Sequence, residues 1–281
     1  MTSGEILKLL AGSGDEEAQI DARILCEELE GEALSIAAAR RAKGEPLAYI
    51  LGHRHFWRGD FKVVPGVLIP RPDTELVVEC ALRYLGLHDL ATGDVLDIPE
   101  MSCLTEVRFA DICTGTGCIG ISIANEIKAS GLKVKGVLTD ISDDAISVAK
   151  DNAKAILNDP AAVEVIRHDI LHDELSGKFN FIVSNPPYIT DSEMDELESS
   201  VKEYEPPLAL RGGPDGLDFY ECIFNKSFDL LVPGGAVFAE HGYLQGEAVR
   251  ELCRKAGFGK VGTVRDYGNN ERVTWGIKNA G

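Results

Sequence analysis

The sequence has no apolar run that approaches the roughly 18 residues needed to cross a bilayer, so no transmembrane helix is expected. Its first residues also lack the basic region and apolar core of a secretory signal. Hydrophobic residues nevertheless make up 44% of the chain, which is enough to build a buried core. These features together predict a globular cytoplasmic protein that does not associate with a membrane.

Cysteine pairs are missing as well. The seven cysteines include no C-x-x-C pair and no spacing typical of a zinc site. Their odd number and scattered positions are typical of reduced, mostly buried thiols. We therefore expect free thiols and no metal site.

Basic residues are scarce. Lysine and arginine number 28 against 46 aspartates and glutamates, which gives a formal net charge of −18. Binding to DNA or RNA requires clustered lysines and arginines that neutralise phosphates, and an acidic chain repels polyanions. The charge therefore disfavours a nucleic-acid substrate and favours a protein partner that carries positive charge.

The first part of the chain divides into two segments. Residues 1–54 place apolar side chains at helical spacing and show no β-alternation, which predicts a small helical domain. Residues 55–106 begin with two short extended runs on either side of Pro65-Gly66, which predict a hairpin that turns there. The acidic stretch 88–106 lacks periodicity and is predicted to be a linker.

Residues 107–281 alternate short apolar runs with helical segments, which predicts an α/β domain with a mostly parallel sheet covered by helices on both faces. The predicted strands are 107–113, 134–140, 163–168, 179–184, 236–240, 260–265 and 272–277. The predicted helices are 73–87, which precedes this domain, and 117–129, 144–157, 217–231 and 244–256.

A glycine turn follows the first of these strands. Gly115 and Gly117 allow the backbone to turn tightly and to approach a ligand, and ligands of such folds bind at the carboxyl ends of the strands. With Gly120 they satisfy G-x-G-x-x-G, which fits a dinucleotide and S-adenosylmethionine equally well. A plain strand-to-helix turn is the structural alternative.

Two acidic residues follow the next strands. Asp140 ends strand 134–140, where a carboxylate can accept hydrogen bonds from both ribose hydroxyls; its alternative role is a cap of the following helix. Asp169 follows strand 163–168 and can accept from the exocyclic amine of adenine, with Ile170 against the ring. A solvated acid in a loop is the alternative for Asp169.

The tetrapeptide Asn185-Pro186-Pro187-Tyr188 occupies the same position after strand 179–184. Consecutive prolines stiffen the backbone, and the Asn185 side-chain oxygen and the Pro186 carbonyl can each accept one N–H of a planar amide. Tyr188 offers an aromatic face for that amide to stack on. A Pro-Pro turn capped by asparagine would explain the prolines alone.

Five further segments extend this pattern along the chain. They are EPLAYILG at 45–52, PGVLIPRPDTE at 65–75, PLALRGGPDGL at 207–217, PGG at 233–235 and EHGY at 240–243. Together with the tetrapeptide they resemble the peptide chain release factor glutamine methyltransferases, which are class I S-adenosylmethionine-dependent methyltransferases. The resemblance implies a seven-stranded Rossmann-like sheet and a small N-terminal helical domain that helps to hold the release factor. It also implies methylation of the side-chain amide nitrogen (N5) of the glutamine in the Gly-Gly-Gln loop of class-1 release factors. We expect the chain to be a monomer.

Carried onto this sequence, the resemblance and the local patterns assign S-adenosylmethionine to the glycine turn and the strand ends. The expected cofactor-binding residues are Cys113, Thr114, Gly115, Thr116, Gly117, Asp140, Asp169, Ile170 and Asn185. The expected substrate-binding residues are Asn185, Pro186, Pro187 and Tyr188, of which Asn185, Pro186 and Tyr188 are expected to be catalytic. Cys113 departs from the family, which often has glycine there.

Three alternatives remain open at this point. An N-methyltransferase that acts on exocyclic amines of nucleic-acid bases would use a similar tetrapeptide, although the acidic charge and the 45–75 segment argue against it. A dinucleotide dehydrogenase or a non-enzymatic interaction module would leave the tetrapeptide unexplained. Within the expected site, His241 is a possible general base, and Arg71 and Asp73 form either an ion pair or cap or a substrate contact.

Overall fold

Four helices open the chain in the computed structural model, which describes residues 3–10, 16–88, 101 and 104–279. Their small alanines let the helices pack closely around larger apolar side chains, as the helical spacing predicts. The helices are α1 (Ser3–Leu10), α2 (Glu16–Glu28), α3 (Gly31–Arg41) and α4 (Leu47–Leu51). The buried residues of this cluster are Ile6, Leu10, Ala18, Ala22, Leu25, Leu34, Ala37 and Ala38.

A two-stranded hairpin follows, but its predicted turn at Pro65-Gly66 is wrong. Strand β1 (His53–Phe56) pairs with β2 (Gly59–Lys62), so the chain reverses at Trp57, whose φ is 56°. The outer backbone of β2 is held by a helix side chain, since the Lys62 N–H donates to Asn152 Oδ1 at 2.8 Å. Pro65-Gly66 forms a separate turn after the hairpin.

Seven strands form the central sheet. They are β3 (Glu106–Ile112), β4 (Lys133–Asp140), β5 (Val163–Arg167), β6 (Phe179–Ser184), β7 (Leu231–Glu240), β8 (Lys260–Arg265) and β9 (Glu271–Ile277). Their order in the sheet is β5-β4-β3-β6-β7-β9-β8, which confirms the predicted α/β fold. In this sheet only the pairings of β9 with β7 and with β8 are antiparallel. Between β3 and β6 the strand order reverses direction, which is where ligands bind in open parallel sheets.

Helices cover both faces of this sheet. They are α5 (Glu75–Tyr84), α6 (Cys118–Ala129), α7 (Asp143–Ile156), the short α8 (Ser199–Tyr204), α9 (Tyr220–Leu230) and α10 (Gly246–Lys255). Successive residues of β3 point to opposite faces, so Phe109 lies in a buried apolar cluster with α5, α6 and α7, while Ala110 lies in a second cluster with α9 and α10. Helix α8 contributes to neither cluster.

Two differences from the sequence expectation concern the connections. Strand β7 begins at Leu231 rather than at 236, because Leu231 pairs with Phe179 before the register shifts along the sheet. The predicted linker 88–106 lies largely outside the described residues.

Among the residues that are described, no helix combines the length and the apolar character required to cross a membrane.

Candidate active site

The glycine turn joins β3 to α6 at the carboxyl edge of the sheet. Gly115 and Gly117 have φ values of 56° and 82°, in the left-handed region that glycine adopts freely. Cys113 also has a positive φ, of 61°, which costs a residue with a side chain more than it costs glycine. A glycine at position 113 would adopt this conformation at a lower cost than Cys113 does.

A buried carboxylate beneath the turn was missed by the sequence reasoning. Asp111, on β3, is fully buried, and its Oδ2 accepts hydrogen bonds from the Thr114 hydroxyl at 2.5 Å and the Gly120 N–H at 2.9 Å. Burial raises the pKa of Asp111 to about 7, against the opposing effect of these two hydrogen bonds. The signal available in the sequence was a charged residue within the apolar carboxyl half of the strand, residues 109–112.

Asp140 closes the other side of the turn. Its Oδ2 accepts from the Gly115 N–H at 2.9 Å, and its Oδ1 accepts from the Ser142 N–H at 3.0 Å. The cap of α7 is Ser142, whose hydroxyl accepts from the Ala145 N–H at 3.3 Å. Asp140 therefore is not the side-chain cap of α7, and its carboxylate lies in the wall of a groove at this edge of the sheet.

Asp169 and Ile170 lie in the same wall, after β5. The Asp169 carboxylate accepts from the Leu171 N–H at 2.9 Å and contacts His172 Nδ1 at 2.8 Å. The hydrogen bond from His172 is the main reason why the pKa of Asp169 is lowered. Ile170 is buried and presents an apolar surface beside this carboxylate.

The tetrapeptide begins where β6 ends. Asn185 lines the groove, and its Nδ2 donates to the Thr74 hydroxyl oxygen at 3.1 Å. Pro186 and Pro187 are buried, and Pro187 also lines the groove. The half-buried Tyr188 turns its hydroxyl to Glu240 Oε1, at 3.4 Å, on the end of β7.

The groove brings together most, but not all, of the residues that the sequence assigned to the site. Apolar wall residues that the sequence did not single out include Val67, Leu68, Leu208 and Phe219. The assigned residues in the groove are Cys113, Gly115, Asp140, Asp169, Ile170, Asn185 and Pro187. Thr114 and Thr116 line a smaller adjoining pocket together with Asn185 and Thr74, whereas Gly117, Pro186 and Tyr188 line neither cavity.

His241 is not placed to act as a general base. It is fully buried, with Nδ1 2.9 Å from the Gly242 carbonyl oxygen and Nε2 3.0 Å from Thr274 Oγ1. Burial lowers the pKa of His241 to about 4, so the ring is neutral at physiological pH.

Arg71 and Asp73 both make ion pairs beside the groove. The Arg71 guanidinium pairs with the carboxylate of Glu205, whose side chain is buried. Asp73 lies 3.5 Å from Arg272 on β9. These contacts favour the structural interpretation of Arg71 and Asp73, as ties between the segment before α5 and the sheet.

Known methyltransferases match both the sequence and the fold. Residues 90–201 match the family model described as "Methyltransferase small domain". The chain is 38% identical over 240 residues to the release factor glutamine methyltransferase of Clostridium acetobutylicum, covering 85% of this chain and 77% of that protein. It is 36% identical over 289 residues to the protein of the same name from Moorella thermoacetica, covering 96% and 94% of the two chains. The crystal structure of a methyltransferase from Pyrococcus furiosus has a TM-score of 0.54 at 18% identity, covering 87% of this chain and 99% of that one, and supports the fold alone.

Proposed function

Because the chain belongs to the release factor glutamine methyltransferase family, we propose that it methylates the loop glutamine of class-1 peptide chain release factors. The methyl acceptor is the side-chain amide nitrogen (N5) of the glutamine in the Gly-Gly-Gln loop, and the donor is S-adenosylmethionine. The observation that carries the proposal is the orientation of Asn185. Its Nδ2 is engaged by Thr74, which leaves its Oδ1 as an acceptor at the groove where Asp140 and the glycine turn meet.

The groove suits S-adenosylmethionine, which supplies an electrophilic methyl group when bound. Ile170 and Leu171 give an apolar wall for the adenine, and the Asp140 carboxylate has lone pairs left for the ribose hydroxyls. At Gly115 a Cβ atom would meet nothing within 4 Å, so the turn leaves open space beside its backbone. An apolar cleft with a few convergent polar groups is typical of cofactor sites.

Positioning of the substrate amide accounts for the chemistry that the chain itself performs. Asn185 Oδ1 and the Pro186 carbonyl accept the two N–H protons of the glutamine carboxamide, with Tyr188 against its plane. Both acceptors favour positive charge on the nitrogen, whose lone pair is otherwise delocalised. Asn-Pro-Pro-Tyr contains no strong base and His241 is buried, so we propose that alignment and electrostatics drive the transfer without prior proton abstraction. The nitrogen gains the methyl group as S-adenosylhomocysteine leaves, and the methylated amide then releases its extra proton to water.

The rest of the chain contributes to recognition of the release factor. We propose that the helical domain 1–54 helps to hold this protein, with the hairpin and linker 55–106 joining it to the methyltransferase domain 107–281. The net charge of −18 attracts basic surfaces on the partner. That the chain acts as a monomer stays a prediction from the sequence.

Mass spectrometry tests the proposed function directly. A class-1 release factor incubated with this chain and S-adenosylmethionine is expected to gain one methyl group on the loop glutamine. A release factor whose loop glutamine is replaced by alanine is the control and should gain none. Methylation of DNA or RNA offered in parallel, with no change in the release factor, would show that the substrate assignment is wrong.

Two glycine substitutions should separate cofactor binding from folding. In Gly120→Ala the added Cβ would lie 2.9 Å from both Asp111 Oδ2 and Leu138 Cγ, so we expect overpacking of about 1–3 kcal/mol and a drop in thermal midpoint of roughly 3–10 °C. In Gly115→Ala the Cβ is unobstructed and only the positive φ is strained, at about 1 kcal/mol.

Cofactor affinity should rank these two variants in the reverse order, with Gly115→Ala the more strongly affected. Gly115→Ala should weaken binding of S-adenosylhomocysteine by roughly tenfold or more, because the methyl group occupies the space open to the ligand. Calorimetric titration and thermal melts of both variants measure the two effects. Equal cofactor affinity in Gly115→Ala and the parent chain would contradict the placement of the ligand at this turn.

A further inference from the structure

The tetrapeptide Asn-Pro-Pro-Tyr cannot hold its own backbone in place. Pro186 and Pro187 have no N–H group, so neither residue can donate a hydrogen bond from its backbone. Their rings fix φ, however, so the tetrapeptide is a stiff unit whose placement is set at its two ends. At the first end, Asn185 Nδ2 donates to the Thr74 hydroxyl oxygen at 3.1 Å. The positions of the Pro186 carbonyl and the Tyr188 ring therefore depend on what holds the other end.

Gln245 holds this other end. The residue is half-buried and directly precedes α10, and its Nε2 donates to the Tyr188 carbonyl oxygen at 2.9 Å. Among the described residues, no other donor reaches this carbonyl. The same Nε2 lies 3.3 Å from the Gly216 carbonyl oxygen and 3.4 Å from that of Asp215. One side-chain amide thus joins the tetrapeptide to the glycine-containing loop 211–218.

The orientation of the Gln245 amide follows from its neighbours. Its Oε1 accepts from the Gly242 N–H at 2.9 Å, while the Gly242 carbonyl accepts from the Gln245 backbone N–H, also at 2.9 Å. An N–H group can only donate and a carbonyl oxygen can only accept, so the opposite orientation of the amide would match none of its partners. The turn 242–245 therefore directs Nε2 to the Tyr188 carbonyl.

Two glycines bring the loop 211–218 against the backbone of the tetrapeptide. A Cβ atom at Gly212 would lie 2.7 Å from Tyr188 Cα. A Cβ atom at Gly216 would overlap both the Tyr188 carbonyl oxygen and Gln245 Nε2. Since a side chain cannot occupy this space, only glycine permits so close an approach of the two backbones. The loop and Gln245 therefore enclose the Tyr188 carbonyl together.

We propose that Gln245 is a positioning residue for methyl transfer, which fixes the Pro186 carbonyl and the Tyr188 ring where the substrate amide must meet them. Gln245 lines neither the groove nor the adjoining pocket, so it acts through the Tyr188 carbonyl. The inference rests on the proposed function, because the amide to be oriented is that of the release-factor glutamine. Without the Gln245 donor the stiff unit can pivot about Asn185, while the residues that bind the cofactor stay in place.

Turnover and cofactor binding, measured on the full chain, test the inference. Gln245→Glu keeps the side-chain length and the acceptor for Gly242, but it replaces the donor by a carboxylate oxygen that faces carbonyl oxygens. Its turnover at saturating release factor and S-adenosylmethionine is expected to fall roughly 10- to 100-fold, because the acceptors for the substrate amide are displaced. Its affinity for S-adenosylhomocysteine, measured by calorimetry, should stay within about threefold of the parent value.

Two further variants remove the hydrogen bond without introducing a charge. Gln245→Met keeps the length of the side chain but has no donor, and Gly216→Ala places a methyl group against the Tyr188 carbonyl oxygen. Both should lose turnover and keep the affinity for the cofactor. Hydrogen exchange should become faster at the Ile189 N–H, which follows this carbonyl and donates to the Leu210 carbonyl oxygen at 2.9 Å.

Matched controls separate these effects from general destabilisation. Asn158→Asp makes the same change from amide to carboxylate at an exposed position after α7. Gly131→Ala adds a methyl group at a φ of 85°, close to the 73° of Gly216, but the added Cβ would meet nothing within 4 Å. Both controls should keep the turnover of the parent chain and its exchange rate at Ile189.

The outcomes separate this inference from the proposed function. Turnover of Gln245→Glu and Gln245→Met within about threefold of the parent would overturn the positioning role and leave the proposed function standing. Equal losses of turnover and cofactor affinity would also overturn it, since Gln245 would then support the groove as a whole. A parent chain that binds S-adenosylhomocysteine but methylates no release factor would refute the proposed function and this inference with it. Lost turnover with retained cofactor affinity and faster exchange at Ile189 supports the inference.

Discussion

The Asn185→Ala variant is expected to lose methylation of the release factor by roughly 100- to 1,000-fold, the loss that follows removal of one group aimed at developing charge. Alanine removes the acceptor that orients the glutamine amide, and the Pro186 carbonyl alone leaves the nitrogen free to rotate. Binding of S-adenosylhomocysteine should weaken only partly, because Asn185 is one of many residues that line the groove. Radiolabelled methyl transfer and calorimetric titration measure the two effects.

Asn158→Ala is a suitable control for this experiment. Asn158 is an exposed asparagine that follows α7, and it does not line the groove. Its replacement should leave transfer and cofactor binding unchanged. Turnover of Asn185→Ala within a few-fold of the parent chain would falsify the assignment of Asn185 as the group that orients the substrate.

Asp140→Ala should act on cofactor binding rather than on the substrate amide. Two hydrogen bonds from ribose hydroxyls to a carboxylate contribute about 3 kcal/mol, so the affinity for S-adenosylmethionine is expected to fall by roughly 100-fold. Part of this loss arises within the chain, because the Gly115 N–H loses the acceptor that holds the turn, 2.9 Å away. Turnover at saturating cofactor should recover much of the parent value.

The matched control for Asp140→Ala is Asp143→Ala. Asp143 is the first residue of α7 and lies three residues after Asp140. Its side chain is 87% exposed, and its replacement by alanine removes the same negative charge as Asp140→Ala does. Only Asp140→Ala should raise the cofactor concentration needed for half-maximal rate. Lost turnover with an unchanged cofactor affinity would count against the ribose assignment of Asp140.

Local patterns in the sequence predicted the strands closely. Strands β6 and β8 have the predicted bounds, and β3, β4 and β9 differ by a single residue at either end. These strands are short runs rich in β-branched or apolar residues, so their local composition is sufficient to predict them. The hairpin was placed wrongly because Pro65-Gly66 is a strong turn signal, whereas the observed reversal places Trp57, a residue with a large side chain, at positive φ, which no local pattern indicates.

In the candidate site, too, local sequence patterns predicted some residues, whereas others are recognised only from tertiary contacts. Asn185, Asp140 and the glycine turn follow strands directly, and the parallel sheet brings all strand ends to one edge. Asp111 was missed because its role depends on tertiary contacts: its carboxylate accepts hydrogen bonds from Thr114 and Gly120, which follow it in the glycine turn and in α6. Thr74 was missed as the hydrogen-bond partner of Asn185 because it precedes Asn185 by 111 residues.

The sequence alone determined the α/β fold, the positions of the chemical groups at the strand ends and the family to which the chain belongs. Those properties are carried by apolar periodicity and by contiguous motifs, which are local. Tertiary structure alone decided where the hairpin turns, that His241 is enclosed, and which atom of the Asn185 amide faces the groove. The hairpin is held against α7 by Asn152, and the other two properties depend on hydrogen bonds between residues far apart in the chain, which form only when the elements pack.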